Sequence, residues 1–164
     1  MIGAPLTFMG TKVQKQRRRF FLGQRSHRKS LLGTADVARI IDWCRSMADP
    51  TVWEGVASGL DLFVKGVDEN AVAISEQAVR FLEACPAPEL VLGAYTRKIS
   101  PDGWSGSRAA IMERNVNAFG VFVENSDMRI AAAARKVVAE AAGWVVRERE
   151  RELSTGAKRE QRFE

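Results

Sequence analysis

The sequence predicts an all-α fold of about six helices, arranged as three antiparallel hairpins that stack in order along the chain. The main indication is the segment 126–153, in which apolar residues recur every three or four positions, as they do on one face of a helix. These residues are Ile130, Ala134, Val137, Ala141 and Trp144. Such a face has to pack against another element. The segment 112–123 repeats the spacing, so the two segments are predicted to form the last hairpin, with 126–153 as a long capping helix.

The earlier helices are predicted from their start signals and apolar spacing. A first helix is expected over Thr34–Met47 with Thr34 as its cap, and Asp49-Pro50 is a typical start for the second. The second helix is expected to continue through Val64, and the third to cover Asn70–Ala84. Further starts near positions 88, 107 and 127 give nearly even spacing, with a period of about 37 residues per hairpin, within the range of helical repeats. No segment alternates with period two over a useful length, so no strand is expected.

Three of the predicted helix starts share a local pattern of Asp, an apolar residue three positions on, and a small or apolar residue four positions after that. The instances are Asp49/Val52/Val56, Asp68/Ala71/Ser75 and Asp127/Ile130/Ala134. Over roughly residues 34–150 the chain resembles the HEAT-like family of α-helical repeats, whose second helices often begin in this way. Its end is similar to the C-terminal helical-repeat part of large bacterial multidomain proteins. That resemblance implies a scaffold or sensor role without catalytic residues.

Charge divides the chain into a basic arm, residues 1–33, and a mildly acidic body. Residues 1–30 hold eight Lys or Arg and no carboxylate, whereas the remainder holds 17 basic and 20 acidic residues. The body is predicted to consist of a helical-repeat domain, residues 34–153, and a mobile charged tail, residues 154–164. The basic character of the protein therefore belongs to its N-terminal arm.

The arm is the first candidate site for binding. Its candidate residues are Lys12, Lys15, Arg17, Arg18, Arg19, Phe20, Phe21, Arg25, Arg28 and Lys29. One interpretation is a solvated tail, since self-repulsion opposes an independent fold. A second is an electrostatic arm that contacts phosphates or an acidic protein surface, with the Phe pair as an anchor. A targeting presequence is the third, but only two serines precede Leu31.

Trp104 is the second candidate, as a protein contact. It follows the strongest turn signal in the sequence, Ser100-Pro101-Asp102-Gly103. Two interpretations follow: the ring plugs the end of a hairpin, or it is an exposed contact, for which it is the best candidate among the four tryptophans. Trp53 and Trp144 fit inward-facing positions and are predicted to belong to the core.

The sequence gives no indication of catalysis or of a cofactor. It has no glycine-rich phosphate loop, GxSxG or HExxH motif, and a single histidine cannot form a multi-histidine metal site. The two cysteines, Cys44 and Cys85, lie among apolar neighbours and are predicted to be free buried thiols in the cytoplasm or another reducing compartment. No uncharged apolar run is long enough to span a membrane.

Two functions follow from these observations. The leading prediction is a non-enzymatic helical-repeat scaffold that binds other protein subunits through its helical face, and an acidic surface or nucleic acid through its arm. The alternative is a structural component associated with RNA or DNA, in which the arm lies on phosphates and the acidic body faces other proteins. Neither hypothesis requires a small-molecule substrate or a membrane.

Overall fold

The computed structural model describes residues 35–66 and 71–160, with side chains through Gly156. Within these ranges the chain forms six longer helices, one four-residue helix and one two-stranded sheet. The helices are α1 Val37–Ser46, α2 Thr51–Gly59, α3 Glu76–Ala84, α4 Pro88–Thr96, α5 Arg108–Ala118, α6 Gly120–Val123 and α7 Met128–Glu160; the strands are β1 Phe63–Lys65 and β2 Val72–Ile74. The fold is therefore mostly helical, as predicted.

Most helices begin where local capping chemistry predicts. Asp49 Oδ1 accepts hydrogen bonds from the backbone N–H of Thr51 at 2.9 Å and from its hydroxyl at 2.7 Å, and Asp127 Oδ1 accepts from the N–H of Arg129 at 2.8 Å. Each aspartate satisfies an amide that the helix itself leaves unpaired. The cap of α1 differs from the prediction, because Asp36 rather than Thr34 accepts from an amide of the first turn. Asp68, the third aspartate of the shared pattern, lies outside the described residues.

The prediction of a chain without strands is wrong for residues 63–65 and 72–74. The second helix ends at Gly59 instead of running through Val64, and the third begins at Glu76 instead of Asn70. Between them, β1 and β2 pair antiparallel with Phe63 opposite Ile74 and Lys65 opposite Val72. The ladder continues through Gly66, whose N–H donates to Ala71 O at 2.8 Å.

Gly66 allows the two strands of this hairpin to approach closely at the end of the ladder. A Cβ at this position would lie 2.6 Å from the Cβ of Ala71, which is too close for any side chain. The hairpin then leads directly into α3, where Ser75 Oγ accepts from the N–H of Ala78 at 3.2 Å and donates to Asp61 O at 2.6 Å. These bonds hold the start of α3 beside the residues that follow α2.

The core of the fold is centred on α4 and a group of aromatic rings. Helix α4 packs against α2, α3 and α7, while α1 packs against α3 and α5 against α7. Tyr95 of α4 is buried and stacks on Phe122 with ring centroids 6.0 Å apart, and Phe122 meets Phe119 edge to face at 5.5 Å. The Tyr95 hydroxyl donates to Ala78 O at 3.0 Å, so its one polar group is satisfied inside the core.

Helix α7 is longer than predicted. It continues beyond Leu153 to Glu160, a length of 33 residues, or about 50 Å. Its buried residues are Ile130, Ala131, Ala134, Ala141 and Val145. The predicted apolar face is therefore confirmed at Ile130, Ala134 and Ala141, while Val137 and Trp144 are partly buried against the core. Trp53 is buried as predicted.

Candidate interaction surface at Trp104

The candidate residues of the basic arm, from Lys12 to Lys29, lie outside the described residues. Trp104 is the predicted site residue that the structure describes. It lies in the connection between α4 and α5, and 50% of its surface is exposed. This connection turns at Gly106, whose φ of 78° favours glycine. The structure therefore presents an indole ring at the end of the α4–α5 connection.

The guanidinium of Arg108 holds the Trp104 ring in place. Its Cζ lies 4.6 Å from the ring centroid, a cation–π geometry in which the ring face attracts the positive charge. Arg108 Nη2 donates to Ser100 Oγ at 2.6 Å, and Nη1 lies 3.5 Å from Glu148 Oε1. Both contacts fix the guanidinium, Ser100 from the start of the same connection and Glu148 from α7. The indole is thus exposed on one side and supported on the other.

Glu152 of α7 accepts hydrogen bonds from the C-terminal end of this connection, where α5 begins. Its Oε2 accepts from the Ser107 hydroxyl at 2.8 Å, and its Oε1 accepts from the backbone N–H of Ala109 at 3.1 Å. Ser107 Oγ itself accepts from the N–H of Ala110 at 3.0 Å. Two amides at the start of α5 therefore have side-chain partners, one of them supplied by a helix that lies 43 residues further along the chain. Arg149 and Glu113, 2.9 Å apart, add an exposed ion pair between the same two helices.

These contacts lower the pKa of Glu152. The hydrogen bond from the Ala109 amide is the largest cause and the Ser107 hydroxyl the next, because both stabilise the charged carboxylate. Its contribution to stability is therefore present above the pKa of an unfolded glutamate, about 4.3. That contribution is lost as the pH falls through the lower folded-state pKa.

We expect Glu152→Gln to have a lower melting temperature than the wild type at pH 7, because the amide cannot provide the charge-assisted bonds. The difference should shrink as the pH is lowered below about 4. Thermal denaturation followed by circular dichroism between pH 7 and 3 measures it. Glu150→Gln is the control, since Glu150 lies exposed on the same helix. A Glu152→Gln difference that stays constant with pH would show that the carboxylate charge has no part in the cap.

Three residues of this surface were not predicted from the sequence: Arg108, Glu148 and Glu152. The alternating charges of 147–152 predict a solvated extension of the helix, with protein or RNA contact as the alternative. Their partners on α5 become apparent only from the packing of α5 against α7. The sequence does show Arg108 at a predicted helix start and the alternating charges of 147–152. It does not show that Arg108 and Glu148 are partners.

The two cysteines are free and buried, as predicted. Burial is the main cause that raises the pKa of each thiol, so both are protonated near neutral pH. Within residues 35–66 and 71–160, no three His, Cys, Asp or Glu side chains are grouped closely enough to hold a metal ion. None of the helices in that part of the chain is both long and apolar enough to cross a membrane.

No protein-family model matches this chain, and no curated protein or solved structure is significantly similar to it.

Proposed function

We propose that this protein is a non-enzymatic interaction scaffold that binds other protein subunits, with Trp104 as an anchoring contact. The observation that carries the proposal is the exposed Trp104 ring held over the Arg108 guanidinium. Tryptophan and arginine are enriched among the residues that dominate the energy of protein interfaces. A ring that is already fixed loses little conformational freedom on binding, so more of its contact energy remains as affinity.

The packing of the helices supports an arrangement as stacked hairpins. Helix α1 contacts α3, α2 contacts α4, and α4 contacts α7, so alternate members of the six longer helices pack together. Neighbours along the chain pack in two of the three pairs, α3 with α4 and, most extensively, α5 with α7. Both kinds of contact are expected when helical hairpins lie side by side as layers. In such a stack the helices of one row form an extended face, and Trp104 lies where the second hairpin joins the third.

The Trp104→Ala variant should no longer bind a partner protein whose affinity depends on this side chain. A residue that dominates an interface costs at least about 2 kcal/mol when truncated, roughly a 30-fold loss of affinity. The wild-type protein, Trp104→Ala and Trp43→Ala are immobilised in parallel, and the proteins retained from a lysate of the source organism are quantified. Trp43 is the matched control, because 48% of its surface is exposed and it lies on α1. We expect at least one retained protein to be lost with Trp104→Ala alone.

Equal retention by all three proteins, or equal loss with both variants, would contradict a role for Trp104. A melting curve of Trp104→Ala separates loss of binding from loss of folding. The cation–π contact that the variant lacks contributes about 0.5–1 kcal/mol at an exposed site, so the variant is expected to fold.

Binding of the basic arm to RNA or DNA is the second candidate function. Eight cations with no carboxylate among residues 1–30 favour it, because such a segment attracts phosphates and releases their counterions. In this interpretation the body, with its excess of carboxylates, faces other proteins of a larger assembly.

A further inference from the structure

Helix α7 carries an apolar row on the side that faces away from the core. Its buried residues, among them Ala134 and Ala141, face the rest of the fold. Four exposed apolar residues recur at intervals of seven on the opposite side: Ala132, Ala139, Val146 and Leu153. Val146 is 53% exposed and Leu153 71%. Apolar residues at this interval are typical of a helix that packs against another helix along its length.

A row of charged residues runs beside the apolar row. Four exposed charged side chains and one glycine follow each other at spacings of four, three, four and three, so they share one face of the helix. In chain order they are Lys136, Glu140, Gly143, Arg147 and Glu150. The signs are positive and negative before Gly143, and positive and negative after it. Read in the reverse direction, the row has the opposite sign at every charged position, so it complements a second copy of itself that runs antiparallel.

These four charges have no partner within the described part of the chain. Among residues 35–66 and 71–156, none of the ion pairs includes a member of this row. Other charges of α7 are paired with the body, since Glu148 lies beside Arg108 and Arg149 beside Glu113. The row is therefore available to a partner outside the chain.

We propose that α7 packs antiparallel against α7 of a second copy of this protein, with the two-fold axis at Gly143. In this register Lys136 lies opposite Glu150 of the other copy, because each is seven positions from Gly143. Glu140 and Arg147 lie within one residue of each other in the same way. Both contacts occur twice by symmetry. A parallel pair in register would place each charge against its own like, which disfavours that orientation.

The same register brings the two apolar rows together. Ala132 lies within one residue of Leu153 of the other copy, and Ala139 within one residue of Val146, so both large exposed side chains leave water. Rows with an interval of seven stay in contact when two helices cross at about 20°. A contact through one helix per copy is smaller than the standard interface of about 1,600 Å², so we expect a reversible dimer with a dissociation constant on the order of micromolar. This contact involves neither Trp104 nor the basic arm.

Zero-length cross-linking of the full-length, nuclease-treated protein tests the contact. A carbodiimide joins a lysine amine to a carboxylate only where the two groups touch, and peptide mass spectrometry locates the link. We expect a link between Lys136 and Glu150. The two residues are fourteen positions apart on one helix, about 21 Å, so the link has to join two antiparallel copies. A mixture of isotopically labelled and unlabelled chains confirms that it is intermolecular.

Charge reversal gives a second measurement, made by sedimentation equilibrium. Lys136→Glu replaces two attractive contacts by two repulsive ones and should weaken the dimer at least about tenfold. The double variant Lys136→Glu/Glu150→Lys restores opposite signs and should return to within about threefold of the wild type. Arg39→Glu is the matched control, because it makes the same charge change at an exposed position of α1. All of these positions are exposed, so the fold is expected to tolerate the changes.

A protein that remains monomeric up to about 1 mM would overturn the proposal. So would a dimer that Arg39→Glu weakens as much as Lys136→Glu, or one that the double variant does not restore. A dimer whose cross-links lie only on other elements would show that a different surface joins the two copies. None of these results bears on the Trp104→Ala comparison, which tests the scaffold function separately.

Discussion

The affinity of the intact chain for RNA or DNA is expected to fall about 10³–10⁵-fold between 50 and 200 mM salt, if six to ten phosphates are contacted. The arm carries eight cations, which is enough for a number of contacts in this range. Replacing Arg17, Arg18 and Arg19 together by Gln should reduce the slope of log K against log salt by about 2–3, since each phosphate contact contributes about 0.9 for duplex DNA. Fluorescence anisotropy with a labelled duplex, repeated at several salt concentrations, measures the slope.

The control removes the same charge from the body. Arg39, Arg135 and Lys136 are exposed on α1 and α7, and their simultaneous replacement by Gln should leave the slope unchanged. If both triple variants reduce the slope equally, the effect reflects overall charge and not the arm. If a chain lacking residues 1–30 binds as tightly as the intact one, nucleic-acid binding by the arm is excluded.

Replacing Phe122 with Ala should destabilise the protein by about 3–5 kcal/mol, as expected for removing a buried aromatic ring. Phe122 is fully buried in α6, between Tyr95 of α4 and Phe119. Its removal takes away two aromatic contacts and leaves a cavity beside Tyr95 and Phe119. The loss is a large fraction of the 5–15 kcal/mol that a domain of this kind usually has. Urea denaturation followed by circular dichroism gives the free energy of unfolding.

Val121 provides a matched control for this core substitution. It is the preceding residue of the same short helix, and 45% of its surface is exposed. Val121→Ala should therefore change the free energy of unfolding by less than about 0.5 kcal/mol. A similar loss from both variants would indicate that the aromatic cluster is not what holds α6 in place.

The elements that could be predicted from the sequence are those whose chemistry is local. The starts of α2 and α7 follow from an aspartate beside the first turn, and the start of α5 from Ser107. The β1–β2 hairpin could not be predicted in this way. Its three-residue strands are too short to show alternation, and Phe63 continues the apolar spacing of α2. Tertiary packing decides that Phe63 belongs to a strand, since its ring packs near that of Phe119, with ring centroids 6.4 Å apart.

The same distinction applies to the surface at Trp104. A turn signal immediately before the residue predicts either a plug or an exposed contact, and the structure shows the ring half exposed. The support beneath it depends on Arg108, Glu148 and Glu152, which are brought together only when α7 packs on α5. Charge alternation along one helix cannot specify which carboxylate meets which distant partner.

The cap that Glu152 provides affects the order in which the helices become stable during synthesis. During synthesis the residues of α5 are made before Glu152, so α5 has only the Ser107 half of its cap until α7 has been made. Its second half arrives from a helix whose own apolar face needs α5 as a cover. The cap of α5 and the cover of the apolar face of α7 are therefore completed together, when the two helices pack.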